Sequence, residues 1–90
     1  MSASVVGTER TNLALLVNPG DYAYASHKGA ICALNYNCPG CNKRGTCPFD
    51  GPFRWNFDGN VASPTLTPSV WNLYCCGWHG NLTAGVWVPI

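Results

Sequence analysis

Ile31-Cys32-Ala33-Leu34-Asn35-Tyr36-Asn37-Cys38-Pro39-Gly40-Cys41 joins two signals in one run. Up to Cys38 the residues alternate. Cys32, Leu34, Tyr36 and Cys38 share one face, and Ile31, Ala33, Asn35 and Asn37 share the other, which is the period of a half-buried strand. The strand then runs straight into Cys38-Pro39-Gly40-Cys41, a C-x-x-C turn whose glycine lets the backbone bend tightly enough to point both thiolates at one ion. Cys76-Gly77-Trp78-His79 repeats the spacing with an imidazole in the last place. Two such turns on separate loops predict a tetrahedral site of Cys38, Cys41, Cys76 and His79 for one structural zinc, because soft thiolates with one imidazole favour that metal. Cys47 and Cys75 stand as substitutes, since spacing alone does not fix which cysteines join the site. Three disulfides are the competing account of the six cysteines. Cys32 reads as core.

Outward from this run the chain reads as nearly all β. Leu13 to Val17 is a short apolar stretch ended by Asn18-Pro19-Gly20-Asp21 and predicts a short buried strand. Tyr22 to Ala25 alternates and predicts a second. The stretch from Cys38 to Pro52 is broken by prolines and glycines and reads as loop. Phe53, Trp55 and Phe57 alternate with Arg54 and Asn56, a strand with an aromatic core face. Pro64 to Ser69 is extended, because residues before proline are kept out of the helical region. Val70 to Tyr74 predicts another strand. Asn81–Thr83 and Val86–Val88 predict a closing hairpin around Ala84-Gly85. No window has helical periodicity. The expected fold is a small zinc-stabilised antiparallel β domain over 13–90, with two metal-binding knuckle loops and residues 1–12 as a candidate flexible, extended N-terminal arm.

Composition bounds the rest. The chain has 90 residues, so one domain near the lower limit of independent stability is expected, where a metal or disulfide staple is common. Hydrophobic residues make up 47% and charged residues only 10%, against about 25% charged in an average domain. Such a surface predicts a protein packed against others. A net charge of +1 with five Lys and Arg argues against nucleic-acid binding. The N-terminal residues lack the basic and apolar regions of a signal peptide, and no run is long enough to span a bilayer. A reducing cytosol and no membrane partner are therefore expected, and cysteines there are read as metal ligands before disulfides. Trp78 and Trp87 are candidates for an interaction surface, since exposed aromatics dominate interface hot spots.

Candidate catalytic groups do not stand out. Asp21, Asp50 and Asp58 each adjoin a glycine and read as turn residues. His27 beside Lys28 reads as a solvated histidine. A C-x-x-C redox centre needs a helix start that the pattern does not supply. No catalytic residue is expected, and the domain reads as a non-enzyme.

Phe53 to Val70 (F-R-W-N-F-D-G-N-V-A-S-P-T-L-T-P-S-V) and Cys76 to Gly85 (C-G-W-H-G-N-L-T-A-G), with the upstream C-P-G-C, resemble a family of small uncharacterised proteins of bacteriophages and bacteria. Its phage members often carry the misleading label "ammonia monooxygenase". The resemblance covers roughly residues 30–88 and implies a zinc-binding β domain of phage origin with no established activity. With the low charge and the candidate arm, it leads to the expectation of a virion component made in the host cytoplasm. That component would be a capsid cement or decoration protein whose partners are other phage structural proteins, such as the major capsid protein, with self-association. The second expectation is an intracellular interaction protein that inhibits a host defence complex.

Overall fold

A computed structural model describes residues 3–73 and 75–90. Tyr74, expected to end a strand, and the first two residues of the expected arm lie outside the described residues. The described chain is built from strands and one short 3-10 turn, in agreement with the mostly β expectation.

The first sheet has the order β1-β10-β9-β8, from Val5–Val6, Val86–Pro89, His79–Thr83 and Val70–Trp71. The second has the order β2-β3-β4-β5, from Thr8–Glu9, Asp21–His27, Ala30–Asn37 and Arg44–Pro48. A two-stranded ribbon, β6 (Asn56–Phe57) with β7 (Leu66–Thr67), completes the set. All pairs are antiparallel except β2 with β3.

The stretch expected as an arm contributes strands to both sheets. Val5 pairs with Trp87 and Thr8 with Asp21. Gly7 makes the crossing between them and donates its N–H to Gly85 O at 2.8 Å. A Cβ at Gly7 would lie 2.8 Å from that oxygen and 2.9 Å from the Tyr22 ring, so only glycine passes there.

The β3–β4 hairpin turns at Lys28 and Gly29, both at positive φ, and the β9–β10 hairpin at Ala84 and Gly85 likewise. These are the two-residue turns whose twist matches paired strands. Leu34 and Tyr36 from β4 meet Cys47, Leu66, Val70, Leu82 and Trp87 in one core. Trp87 is fully buried and donates its indole N–H to Gly20 O at 3.0 Å, which removes the cost of burying that donor. Trp78 packs edge-on against it. Both tryptophans expected at an interaction surface are therefore core, because a domain this small needs its largest side chains inside.

Other local expectations are corrected as well. Leu13–Leu15 is a 3-10 turn, not a strand, because Asn12 caps it by accepting the Ala14 N–H at 3.0 Å. Leu16 alone of that run is buried, while Leu13, Leu15 and Val17 are exposed. The turn after it is fixed by Asp21, whose Oδ2 accepts from the Val17 and Asn18 N–H groups and from Arg10. Burial would raise the Asp21 carboxyl, but those N–H donors and the guanidinium outweigh it and hold it below the usual carboxylate value. Phe53, expected inside, is 85% exposed, and the strand begins only at Asn56. Phe57 stacks on Phe49 and meets Tyr24, so the ribbon is seated on the second sheet by its aromatic end.

Candidate active site

The β8–β9 hairpin carries the chemistry. Its register pairs Val70 with Gly80 and Trp71 with His79. The Asn72 N–H donates to Trp78 O at 2.8 Å, which makes Asn72 and Trp78 a hydrogen-bonded pair. Trp71 and His79 are then a non-hydrogen-bonded pair, whose side chains approach most closely in an antiparallel ladder. Their rings stack, with centroids 5.3 Å apart and planes 28° from parallel. Ser69, two residues before Trp71, lies on the same face by strand alternation. Its Oγ is 2.7 Å from His79 Nε2. Both residues are half-buried, so the hydroxyl is held by the imidazole yet is not sealed from solvent.

A serine hydroxyl within hydrogen-bond reach of an imidazole nitrogen is the pairing that activates serine as a nucleophile. Asp21 is committed to Arg10, Val17 and Asn18, and Asp58 accepts from the Asn60 and Thr65 N–H groups. Among the described residues no carboxylate is hydrogen-bonded to His79; the Trp71 indole lies against its ring instead. Trp55 Nε1 donates to Ser69 O at 3.4 Å and fixes the backbone at that serine. On the other side, His79 borders an open hollow of about 710 Å3 shared with Gly40, Trp78 and Ile90.

A second cluster lies one turn away. The sulfurs of Cys38, Cys41, Cys75 and Cys76 all lie within 4.8 Å of one another, so four cysteines are placed to hold a metal ion. Three of the expected ligands are there, with Cys75, named as a substitute, as the fourth. His79 is outside the group and turned to Ser69. Cys47 is buried in the core beside Leu34, and burial pushes its thiol up to about 12. Cys41 and Cys75 are joined as a disulfide across a Cα separation of 7.2 Å. That is wider than the usual disulfide span of about 4.4–6.8 Å. Cys38 Sγ and Cys76 Sγ are 3.6 Å apart. Thiolates on one tetrahedral ion, at metal–sulfur distances near 2.3 Å, lie about 3.8 Å from one another, which the Cys38–Cys76 pair matches, while Cys41 and Cys75 would have to be reduced to join them.

Each knuckle is closed by its own backbone. Cys38 N donates to Lys43 O, and Asn42 N to Cys38 O. Asn72 O accepts from Cys75 N and Gly77 N. The cluster thus ties the β8–β9 hairpin, with Ser69, Trp71 and His79, to the β4–β5 hairpin.

The chain matches, over residues 8–90, the model of a family described as bacterial ubiquitination-like system serine protease (BubE). It belongs to the BubE family. Comparison with curated proteins and with solved structures returns no match.

The match overturns the resemblance to uncharacterised phage zinc proteins, and with it the virion cement or decoration role. The expectation of a non-enzyme without catalytic residues is corrected too, since the family is that of a serine protease. Of the two expected functions, interaction with a host complex stands nearer to that description than a virion part, but neither named a protease. Sequence reasoning missed Ser69 because it sits in a Pro-Ser-Val segment read only as extended chain. His79 was assigned to the metal because it follows C-x-x. The available signal was the Cys75-Cys76 doublet, which supplies a fourth sulfur and releases the histidine. Among the described residues no helix is long and apolar enough to cross a membrane.

Proposed function

We propose that this protein is a serine hydrolase of a bacterial ubiquitination-like system, with Ser69 as nucleophile and His79 as general base. The 2.7 Å contact between Ser69 Oγ and His79 Nε2 carries the reading. Ser69 Oγ attacks the carbonyl carbon of the bond that joins a modifier to its target, while His79 Nε2 takes the hydroxyl proton. The carbon–nitrogen or carbon–oxygen bond to the leaving group breaks, and His79 returns the proton to it. Water, deprotonated by the same nitrogen, then attacks the seryl ester, releases the carboxylate and restores Ser69. Register carried one residue past Val70 and Gly80 sets Asn81 opposite Ser69 on the His79 face. Its amide is the candidate donor to the carbonyl oxygen as negative charge develops there.

The four-cysteine cluster is proposed to hold one zinc in a structural role. With the Cys41–Cys75 bond reduced, the four cysteines supply four thiolates and leave no coordination position for water or substrate, which is the pattern of structural sites. Its function is to hold the hairpin that aligns Ser69 with His79.

The test is a fluorophosphonate probe with mass mapping of the adduct, alongside hydrolysis of a fusion to the ubiquitin-like protein of the same system. Ser69 is the expected site of modification. Ser69→Ala and His79→Ala should each lower turnover by about 10³-fold or more while the fold and metal content persist. Modification elsewhere, or full activity in Ser69→Ala, rejects the reading.

A further inference from the structure

Among the described residues β8 is an edge strand, paired only with β9. Because Trp71 and His79 form the non-hydrogen-bonded pair, the N–H and C=O of Trp71 point away from β9 toward the open edge. Two contacts agree with this direction. The His79 carbonyl faces the opposite way and accepts from Ile90 N, and the Ser69 carbonyl, on the same side as that of Trp71, is reached by Trp55 Nε1. The edge is therefore capped at Ser69 and open at Trp71, where β8 ends.

A groove of about 360 Å3 lies at that open end, between Trp71, Asn72 and Leu73 on one side and Lys43 and Arg44 on the other. Trp71 and Leu73 are 57% and 52% exposed. Lys43 and Arg44 are exposed and form the one adjacent basic pair of a chain with few charges. One Arg44 N–H group donates to Leu16 O at 3.3 Å, which anchors the guanidinium at the groove wall. An exposed strand edge offers unpaired backbone groups to another chain, and on this two-residue strand those are the N–H and C=O of Trp71. This edge leads to a nucleophile.

We propose that β8 and this groove are the substrate site for the acyl side of the bond cleaved: an extended peptide that pairs antiparallel with Trp71 and presents a carboxylate side chain to Lys43 and Arg44. The inference rests on Ser69 as the nucleophile. An antiparallel peptide with its scissile carbonyl at Ser69 runs back past Trp71 to Leu73. At about 3.4 Å per residue the acidic side chain then falls about four residues before the bond. Main-chain bonds to Trp71 supply binding, and the basic pair supplies selection for the acidic residue, as in other cases of strand addition.

The test separates the site from the nucleophile by measuring binding on full-length Ser69→Ala protein. The probes are synthetic peptides that end at the scissile residue and carry Asp, Ala or Lys about four residues before it. The Asp peptide should bind about tenfold more tightly than the Lys peptide, and Lys43→Glu should invert that order. The Trp71 backbone amide should shift in the NMR spectrum and exchange more slowly with the Asp peptide bound. Equal binding of the three peptides, no binding, or binding that leaves the Trp71 amide unprotected overturns the site, even where the wild-type Ser69 reacts with a fluorophosphonate. Selective binding with an unreactive Ser69 leaves the groove standing and rejects the nucleophile instead.

Discussion

The indole of Trp71 lies against the imidazole of His79, with ring centroids 5.3 Å apart and planes 28° from parallel. His79 has no described carboxylate partner to hold its ring toward Ser69, so this stack is the contact that orients it. In the proposed mechanism the same face would attract the imidazolium formed when Ser69 is deprotonated, an effect worth about 0.5–2 kcal/mol. Trp71→Ala should slow Ser69 acylation by about tenfold, within that range. Trp71→Phe should retain most of the rate, because a second aromatic face remains. Zinc content and circular dichroism should stay unchanged in both. Equal losses in Phe and Ala variants would show that the indole acts in another way.

The ligand set gives an independent prediction. Cys38, Cys41, Cys75 and Cys76 bring their sulfurs together, and His79 bonds to Ser69. Purified wild-type protein should therefore carry one zinc, measured by mass spectrometry under native conditions. Serine at any of the four cysteines should release it and unfold the protein, because structural zinc contributes about 10–16 kcal/mol of apparent binding energy, more than a domain this size has to spare. His79→Ala should keep the metal and lose activity. Retention of zinc in Cys75→Ser together with its loss in His79→Ala would return His79 to the metal.

The strands were legible wherever alternation was strong. β4 with its C-x-x-C, and the final hairpin around Ala84-Gly85, follow from residue period and turn chemistry alone. Phe53 misled because an aromatic at the right spacing reads as inward, while the Gly51-Pro52 turn just before it leaves Phe53 exposed and the ribbon strand starts only at Asn56. The cysteine cluster was legible in part: Cys38, Cys41 and Cys76 lie in it, with Cys75 where His79 was expected. The proposed active pair was not, because Ser69 and His79 are brought together by the β8–β9 register, which a single sequence does not display. A serine after proline has many structural uses, and a histidine three residues after a cysteine has an obvious one. Only pairing of the two strands sets the hydroxyl against the imidazole.

Gly40 sits where the two knuckles meet. A Cβ there would lie 2.8 Å from Cys76 Sγ and 3.1 Å from Trp78 Cβ. Gly40 N also donates to Cys38 Sγ at 3.3 Å. Gly40→Ala should push the second knuckle away from the first. Overpacking of this kind costs about 1–3 kcal/mol. Zinc should leave faster in a chelator competition, the melting temperature should fall by several degrees, and activity should fall with it because His79 follows Cys76 on the same loop. A Gly40→Ala protein with wild-type metal release would show that the contact relaxes at no cost.

Cys47 supplies a prediction in pH. It is fully buried against Leu34, and burial pushes its thiol up to about 12. In the unfolded chain the thiol has its ordinary value near 8.5. The folded state therefore keeps a proton that the unfolded state releases. This contribution to stability is complete below the unfolded value and is lost as pH climbs toward the folded one. The wild type should lose stability between about pH 8.5 and 12, and Cys47→Ala should show a shallower decline over that window from a lower starting point. Labelling gives the second readout. At pH 8 burial keeps Cys47 as the thiol in the folded protein, so iodoacetamide should leave it unmodified until denaturant is added. Rapid alkylation of Cys47 in the native protein, located by peptide mapping, would place it outside the core that β4 and β5 build around it.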